Sequence, residues 1–230
     1  STVGDVWVSA VGNDGNTGGV SDPFLTLTKA LKVCGCSDNS VKVDAGSYAD
    51  DDLSISASNF TIQGAGIDLV TFDGDTDASS AERFMTVNID ATSFKVSDMT
   101  IQNMDVAGDG GAFNLTTSGS VTLQDIMFNI CQTTNASDGG AVYVSSTSTA
   151  TIDRCKFKAN YSFATSTADG SAIANDGTAT IQNSLFYDNN CGSTSSNGHI
   201  YSTGTTNIYN CTFTENLASV PEVYIVGGTT

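Results

Sequence analysis

The chain runs to 230 residues, with 25 acidic against 8 basic side chains, a formal charge of −17 and 39% hydrophobic residues. Nucleic-acid binding needs clustered Lys and Arg to meet phosphates, so this balance excludes it. No apolar run reaches the length of a bilayer span, and a chain that starts Ser1-Thr2 reads as processed, for an extracellular or cell-surface location.

In chain order, Asp5 to Ala10 alternates as a strand around Val6, Trp7 and Val8. The loop Gly12-Asn13-Asp14-Gly15-Asn16 and then Asp22-Pro23-Phe24 lead into an amphipathic run, Phe24 to Val33, expected to form a short capping helix. Cys34 and Cys36 follow; a link within or near the cap is expected, because a zinc site lacks two further ligands. Residues 1–40 are therefore assigned to an N-terminal strand and capping helix, and 41–230 to one continuous repeat domain.

From Ile62 the chain repeats itself. IQGAGIDLV from Ile62, VSDMTIQNM from Val96, LQDIMFNIC from Leu123, IDRCKFKAN from Ile152, IQNSLFYDN from Ile181 and IYNCTFTEN from Ile208 fit one template, at steps of 34, 27, 29, 29 and 27 residues. A second motif keeps time with the first: Gly-Gly-Ala-Phe at 110–113, Gly-Gly-Ala-Val at 139–142, Gly-Ser-Ala-Ile at 170–173 and Asn-Gly-His-Ile at 197–200. Such a period marks a solenoid, and short alternating runs between Gly, Asn, Asp and Ser make its sides strands. The expected fold is an all-β, single-domain, right-handed parallel β-helix of six to seven coils, its hand following the crossover rule. In the fourth copy Ile152, Cys155, Phe157 and Ala159 are expected to point inward. Arg154 breaks the alternation, so a corner belongs there, as at Gly64, Asp98, Asp125, Asn183 and Asn210. Asn160, Asn189 and Asn216 fall at one position of three layers and are expected to form a turn ladder; Phe157, Phe186 and Phe213 are expected to stack.

The Phe-x-x-Asn segments with Gly-Gly-Ala-Val/Phe resemble the repeats of chlamydial polymorphic outer membrane proteins. The opening strand, Gly-Asn loop and Asp-Pro-Phe entry are similar to those of pectin-lyase-like β-helix proteins. Together these resemblances cover nearly the whole chain. They imply the architecture and leave activity open, because this fold hosts lyases, hydrolases, adhesins and inert spacers.

No catalytic constellation is recognised. The repeats hold few basic residues, Lys156 and Lys158 lack a flanking carboxylate column, and His199 follows no nucleophile elbow. A non-enzymatic chain is expected. No cofactor is expected either; Ca²⁺ is the ion that the alternate spacing of Asp73, Asp75 and Asp77 would suit, although Ala78 and Phe84 stand where an EF-hand needs Gly and Glu. Thr-x-Thr pairs at 26–28 and 178–180 suggest ice binding, but they are not expected to recur on one face. Cys155 and Cys211 share an inward position two layers apart, ~9.6 Å and beyond disulfide reach, while Cys131 and Cys191 are candidates for a bridge between turns. Sequons at Asn59, Asn114, Asn135, Asn160 and Asn210 are the glycosylation candidates, in a number that chance alone supplies.

Two functions follow. The first is a non-catalytic extracellular structural subunit, open to glycosylation, whose partner is itself. Val6, Trp7 and Val8 of one copy would dock on Val223, Tyr224 and Ile225 of the next, building a head-to-tail fibre. The alternative is a carbohydrate-binding or polysaccharide-degrading β-helix, or an adhesin fragment. Aromatics exposed on one face would favour the second; Tyr143, Tyr187, Tyr201 and Tyr209 are the candidates, assigned here to different columns.

Overall fold

The computed structural model describes residues 5–34, 39–55, 58–74, 82–88, 93–134, 137–163, 169–191, 197–216 and 220–226. Every strand pairing is parallel, and the chain is a right-handed parallel β-helix with sheets of 13, seven and four strands. The third sheet begins only at Asp105–Val106, so the number of layers differs from side to side.

The repeat sets the register. Ile62, Val96, Leu123, Ile152, Ile181 and Ile208 lie side by side in successive strands of the first sheet. Phe113, Val142, Ile173 and Ile200 do the same in the second. Inward positions form the core, and ring stacking runs along it: Phe128, Phe157, Phe186 and Phe213 follow one another at centroid distances of 4.8, 4.7 and 4.8 Å. That spacing is the strand separation, so each ring removes the faces of its neighbours from water.

The corner residues Asp98, Asp125, Arg154, Asn183 and Asn210 are all left-handed, with φ between 51° and 63°. Arg154 accepts this conformation while its guanidinium spans Asp125 at 2.8 Å. A second left-handed column, Asn103, Ile130, Ala159, Asp188 and Glu215, is not legible from residue types. It corrects the inward placement of Ala159: the turn there swings the next residue, Asn160, into the core. Asn160, Asn189 and Asn216 lie in consecutive layers and are joined by amide hydrogen bonds of 2.9–3.0 Å.

The one helix among the described residues, Leu27–Val33, is seven residues long, too short to persist without support. Thr26 accepts the Lys29 N–H, Asp14 accepts from Leu25 and Thr26, and Asp50 accepts from Leu27 and Thr28. Leu27 and Ala30 are fully buried beneath it.

The strand Val6–Val8 corrects the proposed assembly contact. It pairs with Val41, Lys42 and Val43 on one side, and its other edge is closed by its own chain through Trp7 N–H to Gly18 and Ser9 N–H to Phe24. It also belongs to the first sheet, whereas Val223–Ile225 is the outermost strand of the second, beside Ile200–Ser202. The two segments therefore lie in different sheets, and the edge of Val6–Val8 that a partner would need is occupied by its own chain.

The Thr-x-Thr expectation also changes. Ser120, Thr149, Thr178 and Thr205 share one outward column of the first sheet, and Thr122, Thr151 and Thr180 share another, bounded by Lys95 and Asn207. Thr149-x-Thr151 and Thr178-x-Thr180 thus lie side by side on one face, whereas the pair at 26–28 sits at the start of the helix.

Candidate functional site

The outward column of the second sheet reads Thr86, Asn114, Tyr143, Ala174, Tyr201 and Tyr224. Two of the four candidate tyrosines, Tyr143 and Tyr201, thus share one column, joined by Tyr224, which corrects their assignment to different ones; Tyr187 and Tyr209 lie in the first sheet. The signal was present in the sequence, since each tyrosine or its counterpart directly follows the apolar end of the second motif. Tyr201 and Tyr224 stack at 6.1 Å. Between Tyr143 and Tyr201 the small Ala174 forms the floor, 1% exposed.

A carboxylate ladder flanks this column. Asp109, Asp138, Asp169 and Asn197 each precede a glycine with φ between 69° and 73°. Asp109 Oδ1 accepts the Asp138 N–H at 2.9 Å, Asp138 Oδ1 accepts the Asp169 N–H at 2.8 Å, and Asp169 Oδ1 accepts the Asn197 side-chain amide at 2.8 Å. Glycine is required next to it: a Cβ on Gly139 would lie 2.3 Å from the Val142 carbonyl oxygen. Asp176, at the end of the neighbouring strand, accepts from Tyr143 Oη at 2.7 Å and from Thr203 Oγ1 at 2.6 Å. The Tyr201 hydroxyl bonds Asp169. Both rings that flank Ala174 are therefore held by carboxylates.

Successive rungs sit one strand spacing apart, ~4.8 Å, so ionising one carboxyl opposes ionising the next. Burial first, then the charges of Asp169, Asp109 and Asp176, push the Asp138 carboxyl up from 3.8 to about 6. Asp169 is raised as well, chiefly by burial. Burial and the bonded Asp176 raise the Tyr143 hydroxyl out of the range in which it ionises. The nearest cation is Arg83, and it is already engaged. Its Nε donates to the Gly110 carbonyl at 2.8 Å, Nη2 to the Asp109 carbonyl at 2.9 Å and Nη1 to Thr86 Oγ1 at 3.3 Å. Chemically, the face offers one proton-bearing carboxyl at mildly acidic pH, further acidic side chains beside it and an aromatic platform.

Behind it, His199 Nδ1 lies 2.7 Å from Ser171 Oγ, with Cys191 beside them. All three are at most 2% exposed, so they are part of the packed interior and have no access to a substrate.

The other expected site residues are dispersed. Asp73 accepts from the amides of Gln102 and Asn103, at 2.7 and 2.8 Å. Asp75 and Asp77 lie outside the described residues, among which no group of three acidic, Cys or His side chains is placed to hold a metal. Asn59 and Asn210 are exposed, Asn114 is half-buried, Asn160 is buried, and Asn135 lies outside the described residues. Cys131, Cys155, Cys191 and Cys211 are free thiols, which removes the candidate Cys131–Cys191 bridge. Cys131 sits a rung below Asn160, whereas Cys191 pairs beside Ser162 in the third sheet, two layers farther on. Burial pushes the thiols of Cys131 and Cys155 up to about 12, so neither serves as a nucleophile. No helix among the described residues is long and apolar enough to cross a membrane.

No protein-family model matches the chain, and no curated protein does. Among solved structures it is similar to pectin methylesterase PemA from Erwinia chrysanthemi, with a TM-score of 0.52 and 16% identity, over 99% of this chain and 71% of the other. What the two share is the fold. That likeness still overturns the expectation of a non-enzymatic chain, because a methylesterase is built on the same architecture. The lack of a familiar motif carries little weight on a fold whose sites are assembled from scattered residues of adjacent coils.

Proposed function

We propose that the protein is a secreted carbohydrate-active β-helix that binds a glycan along Tyr143, Tyr201 and Tyr224 and cleaves it with Asp138 as the proton donor. One observation carries this reading: carboxylates occupy three rungs of a ladder in which amides would serve the backbone equally well. Asn160, Asn189 and Asn216 do this along another turn, each Oδ1 accepting a backbone N–H of the layer before it, all without mutual repulsion. Three acidic side chains kept where neutral ones suffice, beside aligned aromatic rings, suit proton transfer to a bound sugar. Asp138 Oδ2 would give its proton to the glycosidic oxygen as the carbon–oxygen bond breaks, while the carboxylate of an adjacent rung attacks the anomeric carbon; a water deprotonated by Asp138 would then release the sugar from that ester and restore both side chains.

The test is the release of new reducing ends from a panel of polysaccharides at pH 5 to 7, by the wild type and by Asp138→Asn. Product from the wild type, lost in the variant, supports the assignment. No product and no retardation on any glycan-containing gel ends it.

A second reading rests on a different face. The hydroxyl columns of Ser120, Thr149 and Thr178 and of Thr122, Thr151 and Thr180 repeat at ~4.8 Å along the axis and about 6.6 Å along each strand. An uncharged lattice of this kind is suited to ordering water against ice. Thermal hysteresis that disappears in Thr151→Lys would favour it; ordinary freezing of the wild type would remove it.

A further inference from the structure

We infer that the site takes a glycan bearing free amino groups, a cationic hexosamine chain, and rejects polyuronates. This rests on the carbohydrate reading above and adds the substrate class.

Four carboxylates, Asp109, Asp138, Asp169 and Asp176, border the tyrosine column, and the side chains of Asp138, Asp169 and Asp176 are each bound only to uncharged donors: backbone N–H groups, an amide and hydroxyls. The one guanidinium nearby, Arg83, spends its donors on two carbonyls and the Thr86 hydroxyl. A uronate chain would bring more negative charge to a face that already resists its own ionisation, as the raised Asp138 carboxyl records. The aromatic column is a second, independent feature. Tyr143 and Tyr201, fixed by Asp176 and Asp169 on either side of Ala174, supply the ring faces that a pyranose and an ammonium group both favour. Ammonium groups would meet the carboxylates, and the sugar rings would meet the tyrosines.

The experiment is calorimetric titration with three probes of equal length: a fully deacetylated hexosamine oligomer, its N-acetylated form and a polygalacturonate oligomer. Each is run at low and at physiological salt against the wild type, Asp176→Asn, Tyr143→Ala, Tyr201→Ala and, away from the face, Asp68→Asn. The deacetylated oligomer is expected to bind about tenfold tighter than the acetylated one at low salt, with the margin narrowing as salt rises. Asp176→Asn and both tyrosine variants should weaken it several-fold, while Asp68→Asn should leave it unchanged. Equal weakening by Asp68→Asn, with no effect of the tyrosines, would mean indiscriminate attraction to an acidic protein and would overturn the inference. Tighter binding of the acetylated or the uronate probe overturns it too, yet leaves the carbohydrate reading standing. Binding of none of the three, together with an absence of product from any polysaccharide, defeats both.

Discussion

Asn189 Oδ1 accepts both the backbone N–H and the side-chain amide of Asn160, each at 3.0 Å, while its own amide reaches the Phe157 carbonyl at 2.9 Å. One fully buried side chain thus satisfies three polar groups that no water can reach. Asn189→Ala is expected to destabilise the protein by about 3–5 kcal/mol, from unmet groups and a small cavity. Asn216→Ala, at a half-exposed rung, should cost clearly less. Denaturant midpoints for the two variants measure the difference, and equal mild losses would show that the ladder contributes little.

Gly140 has no room for a side chain. A Cβ there would lie 2.1 Å from the Ser171 carbonyl oxygen and 2.7 Å from that of Tyr161, both backbone atoms that cannot step aside. Gly140→Ala should therefore cost several kcal/mol or prevent folding, whereas Gly19→Ala, with its nearest atom at 4.0 Å, should fall within about 0.5 kcal/mol of wild type. Thermal unfolding of the pair is the check.

Asp138 ties stability to pH. Its folded-state value of about 6 lies above the ordinary 3.8, so between those limits the native state holds more protons than the unfolded chain. Stability from this group is therefore fully present at low pH and is lost as pH rises from about 4 to 6. After allowance for its partial exposure the loss amounts to about 1–2 kcal/mol. Asp138→Asn should flatten this part of the profile and leave the variant more stable than wild type at pH 7. A stability curve unchanged by the substitution would remove the buried-acid account.

Arg154 sits in the left-handed region, which a long side chain disfavours, and this is offset in part by its exposed pair with Asp125. Arg154→Asn trades the pair for a residue that tolerates the turn. The thermal midpoint of the variant is expected to stay close to that of wild type and to depend less on salt.

In a glycosylating host, Asn59 and Asn210 should carry glycan, since both are exposed at left-handed turns. Asn160, with 0% exposure and its amide committed to the ladder, should be empty in folded protein. Site occupancy by mass spectrometry decides this, and modified Asn160 in the folded fraction would contradict the packing described.

The coil was legible because its cause is periodic: Ile152, Ile181 and Ile208 must stack for any layer to bury its apolar side, and the sequence repeats them at that interval. The left-handed bend at Arg154 could be found by alignment with Asn183 and Asn210, although arginine itself signals nothing. Ala159 and Ile130 could not be found this way, because a second bend imposed by the packing of the following Asn160 or Cys131 leaves no preference in the residue that bends. The site was harder still. Asp109, Asp138 and Asp169 each look like ordinary turn residues before glycine, and only their vertical alignment beside Tyr143 and Tyr201 turns three turn caps into one acidic face.

Since from Val96 onward each layer of the first sheet rests on the one 27 or 29 residues before it, the molecule has a unit of length. Whole repeats can be added or removed with every column preserved, but a shift of one residue within a strand would turn the core outward. The step of 31 residues between Asp138 and Asp169, against 29 between Cys131 and Asn160, places the tolerated variation between Asn160 and Asp169. Over evolutionary time this architecture changes size in whole rungs, and it experiments with sequence in the turns that join them.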